Sequence, residues 1–270
     1  MPRIGRPRPA IPAAIRINDL SKRYGGPDGV LAMDGVTLDI PAGDFVCVVG
    51  ASGCGKSTLL RILAGFEDAT SGTLTVAEEP VTGPSPERGV VFQDYGLFPW
   101  LTVAENVAYG PRQSRLQRDE VKRRTTQNIA AVGLERFANR YPSELSGGMQ
   151  QRVAIARVLA NQPSVLLMDE PFGALDALTR STLQTELARI HRDTGTTVVF
   201  VTHSIEEAVY LSNRVVVMQG GASHGIPGHI AEVVDVPLGE NRSVTSPEFN
   251  EIKRHISSLV HAELTTTATE

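Results

Sequence analysis

The sequence predicts an α/β protein with a mainly parallel sheet, an antiparallel β subdomain near its start and an inserted α-helical subdomain. Three observations carry this. Short runs at 45–49, 89–92, 165–168, 198–201 and 215–218 are continuously apolar or nearly so, the pattern of strands covered on both faces. Helical patterns lie between several of these runs, which implies crossover connections and parallel pairing. Elsewhere the apolar residues alternate with polar ones. Ile15 and Ile17 do so, as do Val36, Leu38 and Ile40, which is the period of half-exposed antiparallel strands.

The elements follow in order. Residues 1–13 hold four prolines and three arginines with no periodicity and read as a disordered tail. Order is expected from Ala14. After the run at 45–49, Leu59, Ile62 and Leu63 recur at helical spacing, and Gly65 reads as the stop. The stretch 102–160 lacks strong strands and reads as the helical subdomain, opened by capping-box spacing at Thr102 and Glu105. Leu183, Leu187 and Ile190 make one helical stripe, and Ser204 and Glu207 repeat the capping-box spacing. In 247–264, Phe249, Ile252, Ile256, Leu259 and Val260 share a face, which suits either packing on the body or a partner contact. Residues 265–270 are expected to be flexible. No internal repeat is visible, so 14–264 reads as a single domain.

Composition narrows the function. The 270 residues carry 26 Lys and Arg against 30 Asp and Glu, a net charge of −4, and 41% are hydrophobic. That is enough apolar material for a core, which excludes whole-chain disorder. The mildly acidic balance argues against a nucleic-acid partner. No apolar run approaches the roughly 18 residues of a membrane span. The start lacks the apolar stretch of a secretory signal. Two cysteines without a paired framework, Cys47 and Cys54, indicate a reduced, cytosolic chain.

Two constellations carry chemistry. Gly50-Ala51-Ser52-Gly53-Cys54-Gly55-Lys56-Ser57, followed by Thr58, fits the phosphate-binding P-loop at every fixed position. Its glycines let the backbone curl so that N–H groups point inward at phosphate oxygens, and the next helix adds its positive end. Lys56 can reach the terminal phosphates, and the Ser57 hydroxyl can ligate magnesium. Cys54 reads as a small tolerated residue, or else as a reactive thiol at a helix start. Cys47 reads as core. The second constellation is the run 165–168 ending in Asp169 and Glu170. It sets two carboxylates at the edge of a buried strand, where α/β sheets bind ligands. Asp169 suits magnesium, and Glu170 suits polarisation of an attacking water.

Leu145-Ser146-Gly147-Gly148-Met149-Gln150-Gln151-Arg152 resembles the signature motif of ABC-transporter ATPases. The resemblance spans roughly 15–264 and implies a P-loop NTPase core of the ABC cassette type. It implies Mg2+ and ATP as cofactors. It also implies a head-to-tail homodimer in which Ser146, Gly147 and Gly148 cover the ATP bound by the other subunit. By the same resemblance Tyr24 stacks on adenine, and Gln93 contacts magnesium and senses the membrane subunit. Asp176, closing Gly173-Ala174-Leu175-Asp176, joins the two sites across the dimer, and His203 lies near the γ-phosphate. The implied partners are two transmembrane permease subunits and, indirectly, an extracytoplasmic solute-binding protein, with the chain peripheral on the cytoplasmic face of the membrane.

Narrower features are similar to importer cassettes for taurine, aliphatic sulfonates and nitrate. They are Pro84-Ser85-Pro86-Glu87-Arg88-Gly89-Val90-Val91-Phe92-Gln93 followed by Leu97-Phe98-Pro99-Trp100, Asp169-Glu170-Pro171-Phe172-Gly173-Ala174-Leu175-Asp176, and Ser246-Pro247-Glu248-Phe249. Pro227-Gly228-His229 departs from that subfamily, where arginine is expected. Trp100 is read either as lining the groove for the permease or as a packed core residue. The rival readings are a soluble, non-transport ABC ATPase and a nucleotide-binding module without turnover. Glu170 and His203 argue against the second.

Overall fold

The computed structural model describes residues 13–173, 175–221, 225–239 and 242–266. The expected tail, apart from Ala13, and the last four residues lie outside these. Two strands come first, β1 (Ala13–Tyr24) and β2 (Val30–Pro41). Then β3 (Phe45–Gly50) leads into α1 (Lys56–Ala64). Three short strands follow, β4 (Ser71–Val76), β5 (Glu79–Pro80) and β6 (Arg88–Val91). Next come α2 (Val103–Gln113), α3 (Arg118–Ala131) and α4 (Gly147–Leu159), with no strand among the described residues until β7 (Val165–Asp169). The chain continues through α5 (Ala177–Thr194), β8 (Thr197–Val201), α6 (Ile205–Leu211), β9 (Arg214–Gly221) and β10 (Ile226–Asp235) to α7 (Pro247–Thr266).

The strands form one 10-stranded sheet in the order β5-β4-β1-β2-β10-β9-β3-β8-β7-β6. Its first four strands pair antiparallel, and the last five pair parallel. β10 joins the halves, antiparallel to β9 and parallel to β2 through one residue pair, Gly228 with Met33.

Continuous apolarity has a direct cause here. Alternate residues of each central strand enter opposite cores. Phe45, Cys47 and Val49 point to one side with Phe200, Ile155, Leu183 and Phe249. Val46 and Val48 point to the other, with Leu59, Ile62 and Leu63 of α1 and with Ile15 and Ile17 of the antiparallel strands. A strand sealed on both faces has no position for a polar side chain, whereas β2 has one covered face and alternates.

The run at 89–92 differs from the others. β6 is the last strand of the sheet, only its Val91 is buried, and Phe92 leaves it 41% exposed. The helix signals hold as local chemistry. Thr102 and Glu105 form a reciprocal capping box, and Gly65 closes α1 in the left-handed region with φ 77°. At Ser204 only half the box forms, because the Glu207 carboxylate turns to Thr202 Oγ1, 2.5 Å away. Phe249 and Ile256 of α7 are fully buried and Ile252, Leu259 and Val260 pack against the same core, so that helix covers the body.

Because Leu63 is 1% exposed in the core between α1 and the sheet, its surroundings cannot collapse onto a smaller side chain. Leu63→Ala is expected to cost about 2–5 kcal/mol in urea unfolding.

Candidate active site

The site is built at the C-terminal ends of the parallel strands. β3 ends at Gly50, and the loop 51–55 enters α1 through Gly55, φ 98°. The loop is pinched at its start and by β10, where a glycine on either side leaves no room for a side chain. A Cβ on Gly50 would stand 2.2 Å from the Met218 carbonyl oxygen, and one on Gly228 would stand 2.1 Å from that of Cys54. Lys56 is 8% exposed, and its Nζ donates to the carbonyls of Gly50 and Ala51, each at 2.8 Å. Its ammonium is thereby held inside the curl of the loop that Ala51, Ser52 and Gly53 trace. Cys54 is buried, with Sγ 3.8 Å from Lys56 Nζ, and Cys47 is a core residue whose pKa burial raises strongly.

Parallel pairing carries β7 and β8 to the same edge. Ser57 Oγ donates to Asp169 Oδ1 at 3.3 Å. Burial raises the Asp169 pKa, the Ser57 hydrogen bond opposes that, and the neighbouring Glu170 charge adds to it. Glu170 takes a left-handed conformation, φ 44°, unusual for a residue with this side chain. Its N–H donates to the Val201 carbonyl at 3.0 Å. Glu170 Oε2 comes 3.3 Å from His203 Nδ1. The residue before His203 is locked from below: the Thr202 N–H donates to Val48, and its hydroxyl donates to Glu207, which also accepts from Gln184.

Gln93 emerges just past β6. A Cβ on Gly173 would lie 3.7 Å from Gln93 Nε2 and 4.0 Å from Glu170 Oε2, so all three border one space. Arg157 of α4 ties the following segment down, donating to Tyr95 and Gly96. Tyr24 stands over the start of α1, its hydroxyl 3.4 Å from Thr58 Oγ1 and hydrogen-bonded to Glu67. Its ring is 40% exposed with Lys22 Nζ 5.0 Å from the centroid.

The remaining predicted residues stand apart. Ser146 caps α4 by accepting from Met149 N–H, with Gly147 and Gly148 in the first turn. Among the described residues no hydrogen bond links this corner to the phosphate loop. Asp176 caps α5, accepting from Leu178 and Thr179 N–H groups, which lowers its pKa. Its carboxylate thus has a local duty that the motif did not indicate. Leu178, two residues on, is 80% exposed.

The donors present fit magnesium. Ser57 and Asp169 bring two oxygens together, and among the described residues no cluster of three or more His, Cys, Asp or Glu competes for a softer ion. Hard oxygen ligands completed by phosphate and water are what Mg2+ favours. Between β6 and helices α2 and α4 runs a cavity of about 470 Å3 lined by Phe66, Phe92, Phe98, Tyr109 and Arg157. Trp100 is 70% exposed and rests on Phe98, which excludes the core reading; it flanks the cavity without lining it.

Residues 33–173, more than half of the chain, match the ABC transporter family. The chain belongs to that family. An ATP-binding protein of Brucella abortus for which no substrate is named, BAB2_1147, is 48% identical over 252 residues, 92% of this chain and 93% of that protein. The aliphatic sulfonates import ATP-binding protein SsuB of Bacillus cereus is 45% identical over 243 residues, 90% of this chain and 94% of that protein. The dimeric ATP-binding cassette MJ0796, in a post-hydrolysis state bound to ADP and Pi, superposes with TM-score 0.70 at 32% identity, covering 83% of this chain and all of that one. ABC ATPases hydrolyse ATP to drive transport, and this chain is such an ATP hydrolase. No helix of this ABC ATPase among the described residues is long and apolar enough to cross a membrane.

Sequence reasoning missed Gly228, Glu67, Arg157 and the Thr202–Glu207 pair. Gly228, Glu67 and Arg157 act through partners distant in sequence, while Thr202 and Glu207 lie five residues apart in a stretch whose capping-box spacing gave no sign of their bond.

The raised Asp169 pKa means that its ionisation opposes folding. The stability it contributes is present at low pH and lost as pH rises through the folded value. Asp169→Asn is therefore expected to raise the calorimetric melting temperature at pH 7 while losing turnover. The gain should close below about pH 4, where the unfolded carboxyl is also protonated.

Proposed function

We propose that this ABC ATPase energises an importer for a small anionic solute, an aliphatic sulfonate such as taurine. The observation that carries the solute class is the 45% identity to the sulfonate-import protein across nearly the full length of both chains. The geometry supports the motor role. Ser57 with Asp169, and Glu170 with His203, stand at the ends of neighbouring parallel strands beside one phosphate loop.

In this reading two copies close head to tail. The dimeric cassette with ADP and Pi supports that arrangement, as does the place of Ser146 at the N-terminus of α4, on a different helix from the one the phosphate loop enters. Ser57 and Asp169, together with Gln93, would hold Mg2+, which would neutralise phosphate charge there. Lys56 exchanges the carbonyls of Gly50 and Ala51 for phosphate oxygens. Tyr24 receives the adenine beside Thr58. Glu170 polarises the attacking water, and His203 holds the Glu170 carboxylate and faces the γ-phosphate. Ser146, Gly147 and Gly148 of the partner subunit present the N–H end of α4 to the same phosphate, and Asp176 lines the seam. ATP favours the closed state, and that differential binding supplies the work.

The two permease subunits dock at the aromatic-lined cavity beside Gln93, which Arg157 connects to α4. The chain then sits on the cytoplasmic face of the membrane, with the solute-binding protein on the far side.

Glu170→Gln is expected to keep ATP binding, to slow turnover at least about a hundredfold and to accumulate as an ATP-bound dimer in light scattering. Turnover near wild type would remove Glu170 from the role of base. Lys56→Ala should lose most ATP affinity by calorimetry, and Tyr24→Ala should raise KM with kcat nearly unchanged. A deletion strain should fail to grow with an alkanesulfonate or taurine as sole sulfur source. Normal growth there, with failure on nitrate, would reassign the solute and leave the ATPase mechanism intact.

A further inference from the structure

The contact between α4 and α5 is packed tightly at one end and left electrostatically incomplete one turn further on. At the tight end a Cβ on Gly148 would stand 2.3 Å from Thr179 Cγ2, so the Thr179 side chain packs directly against the α4 backbone. One turn along, Arg152 Nε faces Glu186 Oε2 at 3.7 Å, with the two side chains 24% and 25% exposed. That is ion-pair range but longer than a hydrogen bond. Both atoms are shut off from solvent, and neither has a hydrogen-bond partner.

The incompleteness is concentrated. Five of the six buried side-chain polar atoms without a partner, among the described residues, lie on α4 or α5: both amide atoms of Gln151, Arg152 Nε, Arg180 Nε and Glu186 Oε2. Gln151 is fully buried, three residues beyond Gly148. Buried polar atoms without partners cost free energy, and native structures hold few of them. Burial also raises the Glu186 pKa, with Arg152 and Arg189 opposing it. The other end of the guanidinium reaches the Val132 carbonyl at 3.4 Å, so Arg152 is already tethered to the end of α3 and a small shift would close the pair.

The positions matter because of what caps each helix. Ser146 caps α4 and Asp176 caps α5, so Gly148 and Thr179 each lie within three residues of those caps. We infer that Arg152 and Glu186 are a positioning pair: they fasten the helix capped by Ser146 to the helix capped by Asp176, so that both caps meet the partner subunit's nucleotide as one edge. The inference rests on the dimer reading above. When ATP draws two copies together, the pair shortens to the roughly 2.8 Å of a charge-assisted hydrogen bond. The closed dimer thereby gains an interaction that the single chain leaves half-made.

The test uses the full chain carrying Glu170→Gln and follows ATP-driven dimerisation by light scattering. Adding Glu186→Gln or Arg152→Met should weaken dimerisation about tenfold, and adding both should be no worse than the weaker single variant. In chains with Glu170 intact, either change should lower kcat while ATP affinity by calorimetry stays within about twofold, because the phosphate loop is untouched. Dimerisation equal to the parent, strictly additive losses, or loss of ATP affinity in step with kcat would each overturn the pair. A parent that fails to dimerise overturns the dimer reading and the pair together, whereas a dimerising parent with indifferent variants overturns the pair alone.

Discussion

The structure depends on a strand that is dry on both sides and ends in a glycine with no room for a side chain. β3 lies between two apolar cores, so its polar chemistry can begin only where the strand stops. At that point the chain turns through Gly50, pressed against the Met218 carbonyl, while Gly228 presses on the loop from β10. The neighbouring strands β7 and β8 obey the same rule and release Asp169, Glu170 and His203 at the same level. Parallel pairing thus converts separate stretches of sequence into one row of functional groups.

That row carries local costs that the cores offset. Lys56 is nearly buried, Asp169 ionises against its surroundings, and Glu170 holds a left-handed backbone. Strained or desolvated groups persist where the packing around them leaves no alternative. Here the packing includes Thr202, whose backbone and hydroxyl are both fixed, so that His203 projects from a rigid step.

α4 links the distant parts. Its first residue follows the Ser146 cap, Arg152 meets α5, and Arg157 holds the backbone beyond Gln93 beside the aromatic-lined cavity. A single helix therefore touches the segment beyond Gln93, borders the aromatic-lined cavity and carries the Ser146 corner. Coupling between such places needs an element with two arrangements, and the proposed closing of the Arg152–Glu186 contact would give α4 its second one.

By itself the sequence determined whatever is dictated by residue type. Double-sided burial forces unbroken apolarity, which made β3, β7, β8 and much of β9 readable. Phosphate chemistry forces glycine, lysine and hydroxyl at set spacing, which made the loop and its helix readable, and Thr102 and Gly65 marked helix ends through local hydrogen bonding and conformation. Tertiary structure decided what no residue type encodes. β6 came out as an edge strand, Trp100 as an exposed residue, and Asp176 as the cap of its own helix. The pinch of Gly228 on the loop and the approach of Glu170 to His203 arise from residues far apart along the chain. The reason is physical: local propensity and periodicity act over a turn or a strand, whereas sheet order and contacts of a few ångströms are set by how the two cores pack against each other.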